Sequence, residues 1–92
     1  MNNLKNEIMA EFLDCIEQIE KTEFLFLPKF EKIMAKVDLF QDKVHNETIT
    51  QLVLILKGNL YNISYPETKV NEAWKNNFIR LSQIISEIEI NE

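Results

Sequence analysis

The stretch ITQLVLILKGNLYNI, residues 49–63, decides the fold. Its centre, Leu52-Val53-Leu54-Ile55-Leu56, is the longest unbroken apolar run in the chain. An element carrying five apolar residues in a row has no polar face, which predicts cover on more than one side. As a helix, Ile49, Leu52, Val53, Leu56, Leu60 and Ile63 line one face, and Thr48 with Gln51 has the spacing of a capping box at its start. As a hairpin, strands 49–56 and 60–65 flank the turn Lys57-Gly58-Asn59. Gly58 and Asn59 weaken a helix by roughly 1 kcal/mol. The capping box and the unbroken face favour the helix, with the hairpin as its rival.

The flanking segments are helical on the same reasoning. In residues 4–19, Leu4, Ile8, Phe12, Ile16 and Ile19 recur every three or four positions, and Asn2 or Asn3 can cap them. Thr22 to Leu27 is undecided: the helix can run on to Pro28, or Phe24-Leu25-Phe26-Leu27 can form a short strand. Pro28 suits the first position of a helix over 28–45, with Phe30, Ile33, Met34, Val37, Phe40 and Val44 on one face. After Ser64-Tyr65-Pro66, a long helix over 67–89 carries Val70, Trp74, Phe78, Leu81, Ile85 and Ile88. Four amphipathic segments with short joints predict one all-α domain across residues 1–92, an antiparallel up-and-down four-helix bundle. The alternative is an α+β fold with a hairpin at 49–65.

At 46% apolar and 27% charged residues, the 92-residue chain has a globular composition. It contains no apolar stretch near the ~20 residues that cross a bilayer. Glu7 and Glu11 interrupt the apolar region a signal peptide would need. A cytoplasmic location is the expectation, with no membrane association.

Catalytic chemistry lacks its parts. Asp42-x-x-His45 has ligand spacing but offers two ligands, and with a single His neither a His-based metal site nor a di-iron bundle can be assembled; His45 reads as a helix-end residue. Cys15 stands between Asp14 and Glu17, which oppose a thiolate, and reads as a small buried residue. One Gly excludes a Gly-rich phosphate loop. The lysines are dispersed rather than striped, against nucleic-acid binding. The expectation is a non-enzyme with no metal and no cofactor.

Charge is distributed unevenly. Residues 1–27 hold six acids and two lysines (−4), residues 28–80 six acids and eight bases (+2), and residues 81–92 three acids and no base (−3). Up-and-down topology brings the start of the first helix beside the end of the last. Glu7 and Glu11 are then expected near Glu87, Glu89 and Glu92. The acids at the final helix end oppose its dipole, which suggests a binding use. Tyr61 and Tyr65, beside Pro66, have the character of interface anchors.

Thr22-Glu23-Phe24-Leu25 and Ile63-Ser64-Tyr65-Pro66 resemble segments of the DNase-colicin immunity family, within the wider class of colicin-type and contact-dependent-inhibition immunity proteins. The resemblance covers about ten residues. It implies a compact four-helix fold in a bacterial protein that binds a nuclease toxin. Of the family's two contacting tyrosines, only the second carries over, onto Tyr65; Ser64 replaces the first, and Tyr61 stands where the family has an Asp. Acidity and resemblance together predict an immunity- or antitoxin-type inhibitor that neutralises a basic toxin or nuclease domain by direct binding. The expected contact residues are Glu7, Glu11, Asp14, Glu17, Tyr61, Tyr65, Glu87 and Glu89. The alternatives are a structural or regulatory homodimer, joined through the apolar surface around residues 24–30 and the central element, and a phage-encoded inhibitor of a host defence protein.

Overall fold

The computed structural model describes residues 2–60 and 64–89. Four helices, α1 (Asn2–Thr22), α2 (Leu27–Val44), α3 (Glu47–Gly58) and α4 (Glu72–Glu87), form the expected small bundle. Two three-residue strands, β1 (Phe24–Phe26) and β2 (Glu67–Lys69), join one end of it as an antiparallel ribbon.

The decisive stretch is helical as far as Gly58, so the hairpin at 49–65 does not form. Its cap lies two residues before the predicted one. The Asn46 side chain, not Thr48, accepts the Ile49 N–H at 3.1 Å. Gln41 fixes the joint from the preceding helix, its Oε1 accepting Asn46 N–H and its Nε2 donating to Thr50 Oγ1. His45 closes α2 in the left-handed conformation (φ 49°, ψ 48°), as a helix-end residue should.

α3 ends at Gly58, and the carbonyls of its last turn are satisfied by the Asn59 cap and by a donor from α4. Ile55 O accepts both Asn59 N–H and Asn59 Nδ2, while Leu56 O accepts Trp74 Nε1 of α4 at 2.9 Å. The apolar run is also less covered than predicted. Ile49, Leu52 and Leu56 are buried, but Leu54 is 66% exposed. Ile63, the last residue of the predicted face, lies outside the described residues.

The last helix begins at Glu72 rather than 67, with Asn71 accepting Trp74 N–H at 2.8 Å. Residues 67–69 pair instead with the Phe-Leu-Phe segment, in the register Phe24↔Lys69, Leu25↔Thr68, Phe26↔Glu67. Leu25 and Thr68 face the core, while Phe24 and Phe26 stay partly exposed. Glu23, at φ 64°, turns the chain out of α1 into this ribbon.

The core is aromatic at its centre. Phe78 lies 4.7 Å from Phe12 and 5.1 Å from Trp74, ring centre to ring centre, and Phe30 stands 5.6 Å from Trp74. Trp74, Phe78, Leu81 and Ile85 are all buried, as the helical stripe predicts. No described helix is long and apolar enough to cross a membrane.

Candidate functional site

α1 packs on α2 and α4, and α3 packs on α4, whereas α2 and α3 pack least and are hydrogen-bonded through Gln41 at their joint. The fourth side of the bundle is therefore open beyond Gln41. It forms a groove of about 470 Å³, lined by Leu27, Phe30, Glu31, Met34, Ala35 and Asp38 of α2, with Lys57, Leu60 and Tyr65 opposite. Tyr65 is 66% exposed at its rim. The Leu27 N–H donates to Pro66 O at 2.7 Å, which fixes the Tyr65-Pro66 turn at the start of α2.

The floor is apolar because Phe30 and Met34 belong to α2's core stripe, one turn apart. Glu31 and Asp38 project from the neighbouring stripe, seven residues or roughly 10 Å apart along the axis. Both are exposed, and neither has an ion pair among the described residues. A larger depression of about 540 Å³, near the start of α4, is lined by Glu20, Glu23, Glu72, Lys69 and Lys75, among others. It mixes both signs of charge and has no aromatic anchor, so it is the weaker candidate.

The predicted contact residues do not form one patch. Lys5 Nζ donates to Ile88 O at 2.7 Å, so the start of α1 does lie beside the end of α4, with Glu87 and Glu89 near that pole. The same bond places a cation against α4's negative dipole end. Tyr65 is at the opposite pole, roughly 30 Å away by the length of α1. Tyr61 and Glu92 lie outside the described residues.

The α1 acids are paired with lysines, although Glu7, Asp14 and Glu17 stay exposed to solvent. Asp14 meets Lys29, Glu11 meets Lys32 and Lys36, and Glu7 meets Lys36, while Glu17 pairs with Lys21 on its own helix. Positions 14, 11 and 7 descend α1 by the same three- and four-residue steps by which 29, 32 and 36 ascend α2. This antiparallel charge ladder was legible in the sequence as matched spacing. Exposed pairs add little stability, but a ladder of them selects one register.

Glu11 is the least accessible of these acids, its side chain 19% exposed. Its buried Oε2 has no hydrogen bond of good geometry and depends on the Lys36 charge 3.2 Å away. The Glu11 carboxylate in turn holds the Lys36 ammonium above its ordinary pKa. Cys15 is buried against the core, and burial pushes its thiol up to about 11. A thiol so placed is a poor nucleophile at neutral pH. Among the described residues, no three His, Cys, Asp or Glu side chains gather where they could hold a metal ion.

Sequence reasoning singled out Tyr65 and put Phe30 and Met34 on one face of α2, but it did not single out Glu31 or Asp38. The usable signal was Glu31-x-x-Met34-Ala35-x-x-Asp38, two acids one heptad apart flanking an apolar and a small residue. No family model, curated protein or solved structure matches the chain.

Proposed function

We propose that this chain is a small protein-binding inhibitor of the immunity or antitoxin kind, which neutralises a basic nuclease toxin by covering it. The observation that carries the reading is exposed Tyr65 at the rim of an apolar groove whose α2 wall presents Glu31 and Asp38, exposed and without an ion pair among the described residues. A half-wet tyrosine beside an apolar pocket suits a central anchor, and free carboxylates on the wall suit a cationic partner. The net charge of −5 steers such a partner from a distance. In this reading, the α1 acids near α2 hold the bundle in register and contribute to contact only through the overall field.

The test is to recover partners from the native host and measure binding kinetics at two salt concentrations. The on-rate to a basic nuclease domain should fall as salt rises, because exposed charges are screened within about 10 Å at 0.1 M. Tyr65→Ala should speed dissociation and cost about 2 kcal/mol or more. Glu31→Gln with Asp38→Gln should weaken binding more than Glu17→Gln, whose carboxylate pairs with Lys21. A partner with an acidic contact surface, or an on-rate indifferent to salt, would remove the basis for this function.

A further inference from the structure

The ribbon's two edges are unequal. Leu27 donates its N–H to Pro66 O, and Val70 donates its N–H to Glu23 O at 3.1 Å. These bonds make 27↔66 and 23↔70 hydrogen-bonded pairs, and by antiparallel alternation 25↔68 is another. The intervening residues of each strand therefore turn their N–H and C=O groups outward.

On β1 this outward side is partly closed. The Phe24 N–H donates to Thr22 Oγ1 at 3.1 Å, and α1 lies close to the strand. On β2 the outward groups belong to Glu67 and Lys69, for which no hydrogen bond is found among the described residues beyond the ribbon itself. Among the described residues, no helix packs substantially on β2. An edge of this kind is a template for another strand.

We propose that the open edge of β2 is a self-association surface, on which Glu67-Thr68-Lys69 pairs antiparallel with the same residues of a second copy about a two-fold axis at Thr68. The occupant follows from charge. Antiparallel pairing centred on Thr68 sets Glu67 opposite Lys69 of the second copy, and Lys69 opposite its Glu67. Both contacts are opposite-charge cross-strand pairs. The same register brings the outward N–H and C=O groups of Glu67 and Lys69 into two hydrogen-bonded pairs, making a four-stranded sheet from two ribbons. The interface is isologous, so one strand supplies both halves of the complementarity. Phe24 and Phe26, exposed on the solvent face of β1, extend that face across the joined sheet.

Sedimentation velocity over a range of protein concentrations tests this, with circular dichroism confirming that each variant is folded. The wild-type chain should dimerise reversibly. Glu67→Lys alone, or Lys69→Glu alone, should weaken the dimer about tenfold or more, because the two-fold axis makes each substitution count twice. The double swap, Glu67→Lys with Lys69→Glu, restores opposite charges in both pairs and should recover dimerisation. Mixing the two single variants should give a heterodimer. A wild-type chain that stays monomeric, a dimer indifferent to either single swap, or a folded double swap that stays monomeric would each overturn the proposal.

Discussion

Replacing Trp74 by Phe isolates the bond that ties α4 to the end of α3. Trp74 is buried, and its Nε1 donates to Leu56 O across 18 positions of sequence. Phe keeps an aromatic ring beside Phe78 but removes the donor and part of the indole volume. A buried carbonyl left without its partner costs about 1–3 kcal/mol. The cavity adds about 1 kcal/mol if the site relaxes only partly. The expected loss is thus about 2–4 kcal/mol, from a total of roughly 5–14 kcal/mol for a domain of this size. With a urea m value of about 1–2 kcal/mol/M, the midpoint should fall by about 1–4 M. Far-UV circular dichroism is the required probe, because the substitution removes the chain's single Trp. Amide exchange should also show the last turn of α3 losing protection before α1 does. A loss below about 0.5 kcal/mol, or equal loosening of α1 and α3, would refute the role given to this bond.

Two further predictions concern the core thiol and the helix start. Cys15, pushed up to about 11 by burial from an ordinary 9.0, keeps its proton in the folded chain at a pH where the unfolded chain loses it. Its contribution is intact below about pH 9 and is lost as pH rises toward 11, by about 2–3 kcal/mol in all. Lys36, also held up in the folded state, works in the same direction, so the comparison is between wild type and Cys15→Ala. Denaturation midpoints of the Ala variant should decline less between pH 8 and 11, and equal slopes would contradict the assignment. At the start of α3, Asn46→Ala should cost about 1 kcal/mol and Thr48→Ala much less in urea melts. The reverse order would restore the capping box predicted from sequence.

Helix number and type were legible in the sequence because they depend on local periodicity. The stripe through Trp74, Phe78, Leu81 and Ile85 identifies its buried face without knowledge of what covers it. The placement of Phe30 and Met34 on one α2 face was legible for the same reason. The cap at Asn46 was harder to see, since both Asn46 and Thr48 are good caps and Gln41 favours the former from the previous helix.

Only tertiary structure decided the rest. Whether Glu67-Thr68-Lys69 begins a helix or forms a strand turns on Phe24-Leu25-Phe26, over 40 positions earlier, offering a ladder partner. Gly58-Asn59 marks the end of α3 locally, but the Leu56 carbonyl there is taken by a donor on another helix, which no local signal encodes. The fate of the acids has the same origin. Glu7, Glu11 and Asp14 read as an open acidic face in a linear chain, yet the α1–α2 pairing brings lysines to them. Glu31 and Asp38, on a helix of mixed charge, have no ion pair among the described residues and stand beside an open groove. Periodicity fixes which way a side chain points from its own helix; long-range packing fixes what it meets there.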